Sequence, residues 1–415
     1  MITNKKKSDS VNYLHKIQSS NFWLFVVFVI YVQLYPNVFF NFEWLKYVVK
    51  YLFIALFFLY TFYYYIENRR LILFTEPILM AVLVVVYAFY DIKDVLDYGY
   101  FVLISILLSA LFINKFGARD VFLKAYIYTA IVLSLHAFAV FIYFNIGGSL
   151  FALYENIPGV GGGALYSPLF GTFNTVEAGN GYRAASFFTE ANRFAYFLVP
   201  AISTVIYSYF RWKKCVLVIL LGALMLTQSV AAILTLIFVN IVYIRSIKYK
   251  ILLSFSLVVM VLMIVISTIN GEGDFNRSTS LAVRLSSFEH LSVTLFEYPN
   301  GITSKDNFII EGKSTNISFI YWSVVGGWIG LIVFLLFVTM FAIRIHQVIK
   351  ITNGYEKGIS IGIMAYLILQ VFLGIGMEFL FSAFIALLYS YYFKYYKMRR
   401  VIGLNSQDLY MKNIL

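Results

Sequence analysis

Residues 211–250 read RWKKCVLVILLGALMLTQSVAAILTLIFVNIVYIRSIKYK. Basic residues flank the apolar run on both sides, Arg211, Lys213 and Lys214 before it and Arg245, Lys248 and Lys250 after it. A bilayer-crossing helix needs about 20 apolar residues, with a range of roughly 17–25. Read as one helix, 215–244 is rather long and leaves one basic cluster on each side of the membrane. Loops on the cytoplasmic side carry the excess of Lys and Arg. Two helices, 215–227 and 230–244, turning near Thr227-Gln228-Ser229, return both clusters to one side. The charges therefore select a hairpin, although each arm is shorter than a full crossing.

Outward from this hairpin the same rule orders the rest of the chain. Further apolar runs cover about 22–40, 47–66, 71–90, 98–113, 123–146, 194–210, 251–269, 317–343, 359–374 and 378–393, making twelve candidate spans with the two arms. The 415 residues are 61% hydrophobic and 13% charged, against roughly 25% charged in a soluble domain. The mean hydropathy is +0.82. These values exclude a soluble enzyme, a secreted disulfide scaffold and a disordered chain, because a water-soluble core of this length cannot hide so much apolar surface. The expected fold is an all-α polytopic membrane protein of about 12 transmembrane helices, a single integral-membrane domain over residues 1–415. The run from Phe22 to Phe40 follows Lys5–Lys7 with no small-residue cleavage site after it, and reads as an uncleaved first span.

The basic clusters at 5–16, 69–70, 115–124, 211–214, 245–250, 344–357 and 394–412 hold 23 of the 32 Lys and Arg. They alternate with the spans so that both termini are cytoplasmic. Only Asp9, Glu67, Asp120, Glu356 and Asp408 of the 20 acidic residues share that side. The net charge of +12 is thus an orientation signal, and no nucleic-acid partner is needed to explain it. The lone Cys215 excludes an internal disulfide. Four His and no Cys/His cluster give no reason to expect zinc or another metal, and no cofactor is implied.

Two outer connections are long, 147–192 and 270–316, and long ordered loops usually carry function. Gly159, Gly161, Gly162 and Gly163 in the first read as a linker that can hinge, without the spacing of a phosphate cradle. The two loops hold Arg183, Arg193, Arg277 and Arg284 on an otherwise acidic face. The planar fork of arginine grips phosphate or carboxylate bidentately, which lysine cannot do. The four together point to a diphosphate or acidic-sugar site; pairing with neighbouring Glu, as for Glu190 and Arg193 three residues apart, is the competing explanation. The segment RAASFFTEANRFAYFLVP begins at Arg183. Thr189 or Asn192 can cap the helix that follows, whose free N–H groups favour an anion. Glu190 can accept a proton from a sugar hydroxyl. Within the spans the polar exceptions are Glu76, His136, Gln228 and Asn240. Glu76, just after Arg70 and before Pro77, reads as interfacial, and His136 as a hydrogen-bonded core residue rather than a proton relay.

Three stretches resemble the bacterial O-antigen and capsular polysaccharide polymerases (the Wzy family) and their relatives, the O-antigen ligases. They are RAASFFTEANRFA from Arg183, LMLTQSVAAILTL from Leu224, and the run from Arg284 through Pro299-Asn300-Gly301 to Asn316, followed by Gly326, Gly327 and Gly330. The two long outer loops match as well. Thr315 stands where the ligase pattern has His, which favours the polymerase. Ser229-Val230 stands where relatives often have Ser-Arg, so one cation of the family pattern is missing.

The resemblance implies a metal-independent glycosyltransferase in the bacterial cytoplasmic membrane, its active site facing the periplasm or exterior. Its donor and acceptor are oligosaccharides on undecaprenyl diphosphate, and a chain-length regulator is a possible protein partner. Arg183 and Arg284 then bind the donor diphosphate, with Arg193, Arg277 and Asn316 as further substrate-binding positions. Glu190 is the general base or orients an arginine, and His290 is the alternative base. The alternatives are the ligase, a flippase for the same lipid-linked units, an assembly partner without chemistry, and a peptidoglycan glycosyltransferase of the shape-and-elongation kind, whose signature residues are not found. A flippase calls for cations lining the spans, whereas the Arg here sit in outer loops.

Overall fold

The computed structural model describes residues 75–88, 92–114, 117–146, 182–186, 191–209, 212–244, 295–301, 318–373 and 380–395, with short pieces at 55, 59, 152–154, 165–166, 173–175 and 188 and most of 246–259. Most of these are helical. The helices are α1 Thr75–Ala88, α2 Ile92–Asn114, α3 Ala118–Asn145, α4 Ala191–Tyr207, α5 Lys213–Leu226, α6 Val230–Tyr243, α7 Ser318–Ile351 and α8 Gly354–Leu373, followed by α9 over 380–395. The spans expected at 22–40 and over most of 47–66 lie outside the described residues.

The hairpin read from the charges is present. α5 ends at Leu226 and α6 starts at Val230, with Thr227, Gln228 and Ser229 between them. Each arm has 14 residues, about 21 Å at 1.5 Å per residue, short of a hydrocarbon core of roughly 30 Å. Among the described residues two helical stretches, Ala118–Tyr143 and Trp322–Ile351, are long and apolar enough to cross a membrane. Several helices also expose apolar stripes at helical spacing: Ile78, Val82 and Val85 on α1, Tyr128, Val132, Leu135 and Ile142 on α3, and Ile329, Ile332, Leu336 and Ile343 on α7. Water does not tolerate such continuous apolar faces on a monomer, whereas lipid tails do.

One departure from the all-α expectation lies in the first long outer connection. Four short strands, β1 Ala152–Tyr154, β2 Leu165–Tyr166, β3 Phe173–Thr175 and β4 Tyr182–Ala184, form an antiparallel meander in chain order. Strands of two or three residues are too short to print a period-two pattern on the sequence. The glycine stretch at 159–163 lies outside the described residues.

α4 and α8 form the most intimate helix pair. Gly358 and Gly362 are one turn apart on α8. A Cβ at Gly362 would come within 2.5 Å of the Pro200 Cα, and one at Gly358 within 2.7 Å of the Ser203 carbonyl. This is the small-residue spacing that lets helix backbones touch where no hydrophobic driving force separates protein from lipid. Pro200 lies inside α4 and supplies no N–H to the helix ladder. Three residues before it, the buried Tyr126 hydroxyl of α3 donates to the Phe197 carbonyl and ties the two helices together.

A polar cluster closes one end of the bundle, where the sequence places the cytoplasm. Glu356, buried at the start of α8, pairs with Lys394 at 3.1 Å and accepts from the Tyr395 hydroxyl at 3.0 Å, both on α9. Tyr355 donates to Asp120 at the start of α3 at 3.0 Å. Arg119 lies 5.4 Å from the Tyr391 ring centre, and Arg344 lies 4.1 Å from that of Tyr392. Three chain segments are thus tied by charges that the sequence had already assigned to one side.

Two predictions follow from these contacts. Gly362→Leu forces side-chain atoms into the Pro200 backbone and should destabilise by about 1–3 kcal/mol, whereas Gly222→Ala, which meets only the far end of the Phe138 ring, should cost less; melting in detergent compares them. Partial burial, the Glu356 charge and its hydrogen bond push the Tyr395 hydroxyl up from 10.0 to about 12. A raised folded-state value means that this contribution is complete below pH 10 and lost as the pH rises through about 12. The melting temperature should therefore decline across that window, and Tyr395→Phe should shrink the decline.

Candidate functional site

Arg183 sits in the middle of β4, opposite Asn174 of β3. β4 packs against α3 and α5, which brings the arginine to the tip of the α5–α6 hairpin. Its Nε–H donates to the Thr227 carbonyl at 2.9 Å, and Nη2 donates to the Asn192 Oδ1 at 2.7 Å. The last carbonyls of a helix lack partners within it, and Thr227 immediately follows α5. Asn192 is in the first turn of α4. One guanidinium therefore ties a strand, a hairpin turn and a helix start together. Two bonds on different nitrogens fix its plane as well as its position, which a lysine ammonium does not do.

The residues after Arg183 fold back onto α3. Ser186 has a left-handed backbone, φ 54°. Its hydroxyl donates to the Leu133 carbonyl at 3.0 Å and lies 3.0 Å from the His136 Nδ1. A serine has one proton to give, so the Nδ1 of His136 is the donor in that second bond. His136 is thus the hydrogen-bonded residue expected from the sequence. Phe188 then turns back through its amide to the Ala185 carbonyl at 2.9 Å and packs its ring on Phe194 and Phe197 of α4.

The hairpin tip is sharp. Gln228 has φ 51°, its amide bonds the Met225 carbonyl at 2.9 Å, and the Val230 amide reaches the Gln228 carbonyl at 3.2 Å. Ser229 between them, at φ −86° and ψ 87°, has the geometry of an inverse γ-turn.

A second constellation joins the third sequence stretch to α7. The helix is interrupted at Gly327, with φ 56° and ψ −145°. The carbonyl of Pro299 accepts from the Trp328 amide at 3.1 Å. A Cβ on Gly327 would lie 2.1 Å from that carbonyl, and one on Gly301 2.1 Å from the Val325 carbonyl. Only glycine permits this approach of the Pro299-Asn300-Gly301 turn to the helix.

The structure thus describes two of the seven site residues read from the sequence. Arg183 is at the hairpin, and Arg193 is in the first turn of α4, one residue after the partner of Arg183. Glu190, Arg277, Arg284, His290 and Asn316 lie outside the described residues. Asn192 does not cap α4: it is inside the helix, and its side-chain oxygen serves Arg183. Thr189 lies outside the described residues. The Thr227 carbonyl and Asn192 as anchors of Arg183 were not legible, since a backbone carbonyl leaves no trace in residue identity. Asn240 is buried and spends its Nδ2 on the Leu236 carbonyl of its own helix at 2.7 Å. Glu76, followed by Pro77, lies in the first turn of α1.

No family model matches the chain, and no curated protein matches it. Among solved structures it is similar to one described as "Structural coordination of polymerization and crosslinking by a peptidoglycan synthase complex", at 13% identity and a TM-score of 0.40, over 76% of this chain and 94% of that one. A likeness at that score carries no functional weight.

The clamp itself is testable. Asn192→Leu should lower the melting temperature by an amount matching about 1–3 kcal/mol for a lost bond to a charged donor, and Asn192→Asp, which keeps the acceptor, should restore it.

Proposed function

We propose that this chain is a membrane glycosyltransferase that joins undecaprenyl-diphosphate-linked oligosaccharide repeat units into O-antigen or capsular polysaccharide, on the outer face of a bacterial cytoplasmic membrane. The observation that carries this reading is the Arg183 clamp. It unites the stretch from Arg183 with the hairpin stretch from Leu224, two of the three that carry the resemblance. The third stretch also has an internal contact between its parts, the Pro299-Asn300-Gly301 turn against Gly327.

In the proposed reaction a hydroxyl of the acceptor repeat attacks the anomeric carbon of the donor chain. The new glycosidic C–O bond forms as the bond to the diphosphate breaks. Undecaprenyl diphosphate departs with the bonding pair, and the hydroxyl proton passes to Glu190 or His290. Arg183, with Arg284, meets the negative charge that grows on the leaving diphosphate. Donors positioned before the charge develops are the strongest form of such stabilisation. Arg193 and Arg277 extend the cationic surface, Asn316 offers a neutral hydrogen-bonding group, and a chain-length regulator is a fitting protein partner.

The test is a surface-polysaccharide ladder from a strain lacking the gene, beside strains complemented with the wild type and with Arg183→Ala at matched membrane levels. The expected outcome is a single repeat on the lipid anchor in both the deletion and the Arg183→Ala strain, with the full ladder only in the wild type. Loss of the single repeat as well would replace the polymerase by a flippase or ligase. A full ladder from Arg183→Ala would remove that residue from the site.

A further inference from the structure

We infer that Gln228 is a sugar-binding residue of this site, its side-chain amide hydrogen-bonding hydroxyls of the glycosyl unit attached to the diphosphate. The inference rests on the reading of Arg183 as the diphosphate-binding residue. Among the described residues the left-handed backbone region is occupied by Gly117, Gly301, Gly327 and Gly354, as glycine's lack of a Cβ favours, and by only two residues with side chains, Ser186 and Gln228. Both lie beside Arg183: Ser186 is three residues further along its own segment, and Gln228 directly follows the residue whose carbonyl holds the guanidinium. Strained backbone persists where something gains from it, and such positions gather at binding sites.

The Ser186 side chain accounts for its own strain, because it bridges Leu133 and His136. Among the described residues nothing accounts for Gln228 in this way. Its side chain is exposed at the hairpin tip, and a residue just past a helix end in this conformation is usually Gly, sometimes Asn. A glycine there would relieve the backbone and make the turn easier, so the amide is kept at a cost in stability. Peptide geometry and the 2.9 Å bond from Arg183 to the Thr227 carbonyl put the Gln228 Cα within about 6 Å of the Arg183 Nε. The two residues are therefore neighbours at the hairpin tip, near enough to meet adjoining parts of one ligand. A neutral amide offers two donors and an acceptor, the complement of a row of sugar hydroxyls. It adds no charge that would compete with Arg183 for the diphosphate.

The experiment uses the full-length protein in detergent or nanodiscs, with undecaprenyl diphosphate and the undecaprenyl-diphosphate-linked repeat unit of the host strain as separate probes. Gln228→Gly should keep or raise the melting temperature and bind undecaprenyl diphosphate like the wild type. It should bind the sugar-bearing lipid roughly ten-fold more weakly, the worth of about one lost hydrogen-bonding group. Gln228→Asn, which tolerates the backbone and retains a shorter amide, should fall between. Equal affinity of Gln228→Gly and wild type for the sugar-bearing lipid overturns the proposal, as does a lower melting temperature, which would make the side chain structural. Arg183→Ala separates the two levels of the argument. If it weakens both lipids while Gln228→Gly weakens neither, only the role of Gln228 falls. If it weakens neither, the diphosphate reading falls and takes this inference with it.

Discussion

A backbone carbonyl or amide left without a hydrogen bond in an apolar surrounding costs several kcal/mol. The described part of this molecule meets that cost at and beside its helix breaks. In α4, beside Pro200, the Tyr126 hydroxyl reaches across from α3 to the Phe197 carbonyl. In α7, Gly327 breaks the ladder, and the Pro299 carbonyl takes the Trp328 amide. Between α5 and α6 the helix ends altogether, and Arg183 takes the Thr227 carbonyl. Each repair comes from a different part of the chain, so each also fixes a long-range contact. A break without its partner would be costly; with the partner it becomes a point of specificity.

The two ends of the bundle use their polar residues differently. Asp120 and His136 lie sixteen residues apart on α3, about 24 Å along the helix axis. At the Asp120 end opposite charges meet: Glu356 with Lys394, and carboxylates with the Tyr355 and Tyr395 hydroxyls. That end is locked. At the His136 end lie Ser186 and Gln228, the two non-glycine left-handed residues among the described ones, and Arg183 on a backbone oxygen and a neutral amide. The glycine seam between α4 and α8 links the ends. It carries the start of α4, where Asn192 and Arg193 sit, on the same rigid pair that carries Glu356.

What could be read beforehand follows from which forces leave marks on residue identity. The α5–α6 hairpin was legible because the positive-inside rule, applied to Arg211, Lys213, Lys214, Arg245, Lys248 and Lys250, favours a turn between the two clusters over one long helix. The meeting of Gly301 and Gly327 was foreshadowed, since close backbone approach leaves glycine as its trace. The β1–β4 meander left none, because its strands are too short for a periodicity. Asn192 looked like a helix cap because its side chain suits one; whether it serves its own helix or Arg183, nine residues back, depends on how β4 docks on α3 and α5. The Thr227 carbonyl could not be found by any reading of side chains.

The clamp also bears on why the cation at this place is an arginine. Lysine would supply the same charge, but its ammonium turns freely on a flexible stem, and its charge would have to be oriented when a substrate arrives. In Arg183 the orientation is settled in the resting protein: one bond from Nε and one from Nη2 define the guanidinium plane with respect to α4 and the hairpin at once. The ordering of the side chain has been met during folding rather than during the reaction. Electrostatic stabilisation of a developing charge is largest when the dipoles and cations need not reorganise, and the same two bonds that hold the hairpin to β4 provide that condition. Under the proposed function, the structural role of Arg183 and its role toward a diphosphate do not compete, because the clamp sets the guanidinium in place before a ligand arrives.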